Sequence, residues 1–248
     1  MLLSVIMPAY NERETIAAIV ERVLAVDLSP HTLELVIVDD GSRDGTRDVL
    51  AGYAGTDRVR VFLQDRNGGK GEAVARGIRE AKGDVLVIQD ADLEYDPEDF
   101  ALLIAPIAAG EADVVYGSRF MRRAGGRGAL RRWHWFGNAL LTAVSNRFTG
   151  LRLTDMETCY KMLRRDVAER LDLQSRDFAM EPEITCKVAR MGVRLRELPI
   201  SYHGRTYDEG KKIGMKDALK AVSATVRYCR WDPAQGSGPR AQDAGPRA

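Results

Sequence analysis

Several common devices are scarce or missing in this chain of 248 residues, and each absence narrows what the protein does. There are three cysteines, Cys159, Cys186 and Cys229, at spacings that match neither a zinc site nor a disulfide framework. Thiols so few and odd in number fit a reducing cytoplasm. His134 and His203 sit in no ligand pattern and read as structural. No apolar run approaches the roughly 20 residues of a membrane span, so the chain is not expected to cross a bilayer by itself. No signal peptide is expected ahead of a first strand that starts at residue 2. Neither G-x-x-x-x-G-K-[ST] nor G-x-G-x-x-G follows that strand, which weakens P-loop and dinucleotide readings. The net charge of +1 argues neither for nor against nucleic acid. No internal repeat is present.

What is present is an alternation. "LLSVIM" reads as a buried strand and is followed by "NERETIAAIVERVLAV", in which Ile16, Ile19, Val20, Val23 and Leu24 recur at helical spacing. Asn11 is the expected cap of that helix, with Glu14 three residues on. Further strands are expected at "LELVIV", "RVRVFLQ", "DVLVIQ", "ADVVYGSR" and "VRLRELPISY", with helices from about Thr46 and over "GEAVARGIREAKG". Short apolar strands between helices predict a mostly parallel α/β sheet covered on both faces, the Rossmann-like pattern. Residues 1–118 then form one half of a single domain and 119–231 a second half with further helices, while 232–248 read as a disordered tail of Gly, Pro and Ala. From Val114 to Thr154 there is no acidic residue but eight arginines. In that stretch Trp133, Phe136, Leu140, Leu141, Val144 and Phe148 lie near helical spacing, which suits an interfacial helix at an anionic membrane. Core packing is the plainer reading for some of these side chains.

The densest acidic stretch is "DVLVIQDADLEYDPEDF", residues 84–100, with six carboxylates between Asp90 and Asp99. Asp96 followed by Pro97, Glu98 and Asp99 fits a helix start, with Asp96 as N-cap. Asp90, Asp92 and Glu94 remain. They follow a central strand, where open parallel sheets bind ligands, and in extended chain they would project to one side. Carboxylates that close repel one another unless a cation compensates, and hard oxygen ligands suit Mg²⁺ or Mn²⁺. A solvated acidic loop is the alternative. Three companions sit on the same rim: "PAYNE" (8–12), "VDDGSRDGT" (38–46) and "NGGKGEA" (67–73).

Taken together with "GSRF", "TDMETCYK", "FAMEPE" and "GRTYDEGKK", these motifs resemble glycosyltransferase family 2 and its GT-A fold, within it the dolichyl-phosphate mannose synthase group. The resemblance covers about residues 2–225. It implies that Pro8, Tyr10, Glu12, Val38 and Asp40 hold the donor nucleoside and that Asp90 and Ala91 contact the donor. Asp92 and Glu94 match metal ligands, and Arg119 a contact to the phosphates. Arg205 and Lys211 match basic residues of a loop over the donor. Asp90, Asp92 and Arg119 are therefore the expected catalytic residues. Arg131, Arg132 and Asp155 are the acceptor-side candidates, and Asp155 is also the first candidate base should the acceptor be a hydroxyl. The segment Asp155–Lys161 departs from the relatives' "DxTGSFR" pattern, which leaves the transferred sugar open. The processive Gln-x-x-Arg-Trp motif is absent, since the chain has "RYCRW".

The implied reaction is metal-dependent, inverting transfer of a hexose from a nucleotide sugar to a polyprenyl phosphate, with mannose from GDP-mannose as the leading donor. UDP-glucose as donor, a saccharide hydroxyl as acceptor, and a non-catalytic nucleotide-sugar-binding subunit stay open. A nucleotidyltransferase is disfavoured because "PAYNE" stands where its glycine-rich loop belongs. The expected place is the cytoplasmic face of the cell membrane, with a small membrane-anchoring partner and no nucleic acid.

Overall fold

A computed structural model of the chain describes residues 1–121, 132–177, 179–204 and 215–233, without the side chains of 132–136 and 215–219. The strands are β1 (Leu2–Ala9), β2 (Thr32–Asp39), β3 (Val59–Leu63), β4 (Val85–Ile88), β5 (Val114–Ser118), β6 (Lys161–Arg164) and β7 (Leu195–Pro199). Among the described residues they form one seven-stranded sheet in the order β3-β2-β1-β4-β6-β5-β7. β1, β2 and β4 are nearly continuous runs of buried residues, as strands covered on both faces must be.

The covering helices are α1 (Ile16–Ala25), α2 (Thr46–Ala51), α3 (Lys70–Glu80), α4 (Phe100–Ala108), α5 (Arg132–Thr149), α6 (Arg165–Arg170), α7 (Met180–Met191) and α8 (Met215–Tyr228). α1 buries Ile16, Ile19, Val20 and Val23, the face that its periodicity predicts. α3 turns small residues inward, Gly71, Ala73, Val74 and Gly77, and so lies close against the sheet. A Cβ at Gly77 would run into the Ile6 side chain.

All pairings are parallel except those of β6, which is antiparallel to both β4 and β5. β6 was not expected from the sequence, because its four residues, "KMLR", are too short to show a period. Its direction matters. The residues leading into β6 arrive at the same rim as the carboxyl ends of β1, β2, β4 and β5. The chain order also reverses across β1, with β2 on one side and β4 on the other, which opens the crevice where α/β sheets bind ligands.

One cap differs from expectation. Asn11 does not start α1, whose N-cap position is Thr15. Asn11 instead adopts φ 54, and its Oδ1 accepts a hydrogen bond from the Arg43 backbone N–H at 2.9 Å. A capping asparagine and a loop-tying asparagine use the same acceptor oxygen, so sequence does not separate them. Asp96 does cap as expected. It accepts from Glu98 N–H at 3.2 Å, opening a single 3₁₀ turn over Pro97–Asp99.

Candidate active site

The ends of β1 and β2 are laced together. Asn11 N–H donates to Ser42 Oγ and Glu12 N–H to Thr46 Oγ1, each at 2.9 Å, while Glu12 Oε2 accepts from Thr15 Oγ1 at 2.8 Å. Tyr10 projects outward, 46% exposed, beside half-buried Pro8 and above the fully buried Val38. Asp40 faces the glycine turn: it accepts from Gly68 N–H at 2.8 Å, Gly69 N–H at 2.7 Å and Gln64 Nε2 at 2.9 Å. Burial pushes its carboxyl up, against the pull of those two amides. The approach is tight enough to require glycine at 41, where φ is +79 and a Cβ would stand 2.6 Å from the Asn67 amide nitrogen. Asp39 is fully buried, and its Oδ2 takes the Arg47 guanidinium at 2.7 Å.

The Asp90–Glu94 stretch is not the extended ladder that alternation predicts. Leu93 takes a left-handed φ of 64, so the chain turns, and Asp92 Oδ1 accepts from Glu94 N–H at 3.1 Å. The three carboxylates have different partners. Asp90 pairs with Lys70 Nζ at 2.7 Å, and Glu94, buried, accepts from the Tyr202 hydroxyl at 2.5 Å. A short turn relieves like-charge repulsion where extended chain would keep it. Among the described residues no group of three or more His, Cys, Asp or Glu forms a metal cage. Two carboxylates on one turn, Asp92 and Glu94, nevertheless fit a cation such as Mg²⁺, which takes one or two protein carboxylates and completes its shell with phosphate oxygens and water. Ala91 is buried in the same turn.

Arg119, at the end of β5, forms a two-pronged ion pair with Asp155: Nε to Oδ2 and Nη2 to Oδ1, both 2.7 Å. Asn138 Nδ2 adds a third side-chain bond to Asp155 at 2.8 Å, and Glu197 of β7 accepts from the Asp155 backbone N–H at 2.9 Å. Burial raises the Asp155 carboxyl, but the Arg119 charge and these bonds outweigh it and hold it below the ordinary range. A carboxylate so occupied and so weakly basic is not placed to act as a general base. The Arg119 guanidinium lies 5.2 Å from the Tyr202 ring centroid.

Behind these residues lies a charged layer that sequence reasoning did not assign. Lys70 also reaches Glu181 of α7 at 3.5 Å, and Glu181 pairs with the buried Lys161 of β6. Burial would lower the Lys70 ammonium, yet Asp90 and Glu181 hold it well above the lysine range, so it is charged. The signal was in "NGGKGEA" and "FAMEPE", whose charges are hard to reconcile with ordinary buried helix faces. Which charges meet depends on α3, α7 and β6 converging.

Arg131, Arg205 and Lys211 lie outside the described residues, as do the tail residues 234–248; Arg132 opens α5, but its side chain is not described. No helix among the described residues is long and apolar enough to cross a membrane.

Comparison with known proteins agrees with this geometry. Residues 4–172 match the family described as Glycosyl transferase family 2. The chain is 33% identical over 248 aligned residues to a polyprenol monophosphomannose synthase of Mycolicibacterium smegmatis, covering 94% of this chain and 89% of the relative. It is 30% identical to a dodecaprenyl-phosphate galacturonate synthase of Rhizobium johnstonii, covering 84% of this chain but only 61% of that longer protein. Among solved structures, glucosyl-3-phosphoglycerate synthase from Mycobacterium tuberculosis, in complex with Mn²⁺, UDP and phosphoglyceric acid, superposes with a TM-score of 0.67 at 19% identity, over 92% of this chain and 78% of that one. That likeness speaks to the fold.

Proposed function

The chain belongs to glycosyl transferase family 2, and on that premise we propose that it transfers a hexose from a nucleotide sugar to a polyprenyl phosphate with inversion at the anomeric carbon. The observation that carries the reading is a convergence at one rim. Asp92 and Glu94 stand on the turn after β4; Asp90 of the same turn pairs with Lys70, and the Arg119 guanidinium lies over the ring of Tyr202, whose hydroxyl donates to Glu94. A leaving nucleoside diphosphate needs compensation of its developing charge at such a place. The acceptor class is supported by two relatives named for polyprenol and dodecaprenyl phosphates. The leading donor is GDP-mannose, after the mannose relative, with UDP-glucose and a uronic acid donor as the alternatives to be screened.

In this reading Pro8, Tyr10, Glu12, Val38 and Asp40 line the nucleoside end, and Asp90 and Ala91 contact the donor. Arg119, Arg205 and Lys211 would contact the phosphates, and Arg131, Arg132 and Asp155 would serve the acceptor. Asp92 and Glu94 would hold Mg²⁺ or Mn²⁺, which when bound supplies Lewis-acid neutralisation of the diphosphate. An acceptor oxygen of the lipid phosphate forms the new bond to the anomeric carbon as the bond to the diphosphate oxygen breaks. A phosphate monoester with a second pKa of about 6 is already largely ionised at neutral pH and supplies its own electron pair. No general base is then required, which accords with an Asp155 committed to Arg119.

A lipid acceptor implies a membrane surface, and α5 offers a face for it. Leu140 and Phe148 are 59% and 52% exposed and lie on one side of the helix, with Arg147 adjacent. Large apolar side chains beside arginine suit the interface of an anionic bilayer. We place the protein at the cytoplasmic membrane surface, with room for a small anchoring partner.

The test is direct. Purified protein is incubated with labelled GDP-mannose, UDP-glucose or UDP-galacturonate, a polyprenyl phosphate and Mg²⁺ or Mn²⁺, then extracted with organic solvent. Label is expected in the organic phase with one donor, lost with chelator and in Asp92→Asn. No lipid-extractable label with any donor would sink the reading.

A further inference from the structure

The charged layer behind the Asp90 turn does not balance. Among the described residues, Lys70, Arg119 and Lys161 gather with the carboxylates of Asp90, Asp155, Glu157 and Glu181, and Glu197 holds the Asp155 backbone N–H beside them. Asp90 is matched by Lys70, Asp155 by Arg119, and Glu181 by Lys161 and Lys70. Among the described residues, Glu157 is the one of these four acids with no ion pair. Its Oε1 is sealed from solvent and has no hydrogen-bond partner among the described residues. Burial, reinforced by the charge of Glu181, pushes its carboxyl up to about 7.

Two further sealed atoms, Asn138 Oδ1 and Thr158 Oγ1, are also unmatched among the described residues, Asn138 being bonded to Asp155 and Thr158 next to Glu157 in the chain. Asn138 is anchored at one end, since its Nδ2 donates to Asp155, so its carbonyl oxygen is held in place with no donor among the described residues. Thr158 adjoins Glu157, and its own carbonyl is gripped by Lys161 Nζ. Native interiors pair nearly all buried polar atoms, and clustered exceptions mark places where a ligand completes the network.

The atoms themselves restrict that ligand. An anion would meet Glu157, Asp155 and Glu181. An apolar chain would leave all three oxygens unmatched, and a cation would sit against Arg119 and Lys161. Hydroxyl groups, which both donate and accept, match a carboxyl, an amide carbonyl and a threonine hydroxyl. The position is joined to the Asp90 turn through Lys70 and Glu181.

We propose that Glu157, with Asn138 Oδ1 and Thr158 Oγ1, binds hydroxyl groups of the transferred hexose and so determines which sugar is moved. The proposal rests on the transferase reading for the identity of the ligand. A site built to hydrogen-bond particular hydroxyls rejects sugars that lack or misplace them, because its own buried groups are then stranded.

The experiment is calorimetry on the wild type, Glu157→Ala and Glu157→Gln. The ligands are GDP-mannose, UDP-glucose and UDP-galacturonate, and then GDP and UDP alone. For whichever nucleotide sugar the wild type binds best, Glu157→Ala is expected to weaken it at least tenfold. The bare nucleoside diphosphate should stay within twofold, and preference among the three sugars should narrow. Glu157→Gln, which keeps a hydrogen-bonding group of the same size, should fall between, and an undiminished melting temperature shows that it is folded. Equal weakening of sugar nucleotide and bare diphosphate would overturn the proposal. So would unchanged binding of both with loss of transfer, which would make Glu157 a proton acceptor instead. The readout is donor binding, so it stays separate from the lipid-extraction test: absence of lipid product speaks against the transferase reading, and the binding difference alone decides the role of Glu157.

Discussion

Asp90, Asp92 and Glu94 share one turn because each has a different neighbour: Lys70, the Glu94 backbone amide and the Tyr202 hydroxyl. The acids after them differ again. Asp96 caps a 3₁₀ turn and pairs with the exposed Arg22 at 2.9 Å, so Asp96→Asn should cost about 1 kcal/mol in urea unfolding and leave transfer nearly intact. Asp99 is buried and accepts from Ser201 N–H at 2.6 Å, so it is not the dispensable first-turn acid that its position implies. Asp99→Ala should cost roughly 1–3 kcal/mol by stranding that amide. Asp92→Asn, in contrast, should abolish transfer with little change in unfolding. Glu157 gives a pH signature. Its folded pKa of about 7 lies above the ordinary 4.5, so its contribution is fully present below the ordinary value and is lost as pH rises through 7. Glu157→Gln should therefore be more stable than the wild type at pH 8, by on the order of 3 kcal/mol. The advantage should vanish by about pH 4; an advantage that does not depend on pH would contradict the assignment.

At the scale of elements, α7 does more than its amphipathic pattern suggests. Its first turn carries Glu181 and Glu183, where the helix dipole favours acids, yet both are buried. Glu183 pairs with Lys187 at 2.6 Å, both fully buried, and also accepts from the backbone amides of Gln174 and Ser175. Lys187 in turn donates to the carbonyls of Leu171 and Asp172. The pair thus shapes the segment whose Ser175 and Arg176 carbonyls abut Gly71 and Gly69, where any Cβ would collide. Lys187→Met leaves Glu183 charged and buried without its partner, and should cost about 3–5 kcal/mol. Differential scanning calorimetry would register this as a lowered melting temperature, and a melting temperature equal to wild type would show that the pair is dispensable. β6 is the other decisive element. Inserted antiparallel between β4 and β5, it brings Asp155 to Arg119 and Lys161 to Glu181.

For the molecule as a whole, the proposed membrane face makes a separable prediction. Replacing Leu140 and Phe148 by serine should reduce cosedimentation with anionic vesicles several-fold while calorimetric binding of the soluble nucleotide sugar is unchanged; vesicle binding equal to wild type would remove α5 from the interface. The parallel strands β1–β5, α1 and α3 were legible because local pattern alone, continuous apolar runs and a 3.6-residue period, specifies them. The rim motifs were legible as strand-to-helix turns for the same reason, and the Asp96 cap because one side chain suffices to make it. Three things were not. The four-residue β6 is too short to carry a period, the turn at Leu93 replaces extended chain at a single φ, and Asn11 chose a neighbouring loop over its own helix. By itself, then, the sequence determined the layered α/β sheet, its ligand-binding rim and the acidic segment at the end of β4, because those follow from local periodicity and chain direction. Only the tertiary structure decided which charges meet. Lys70, Lys161 and Glu181 come from three distant segments, and their meeting, beside a Glu157 Oε1 that has no hydrogen-bond partner among the described residues, depends on long-range packing that no local pattern encodes.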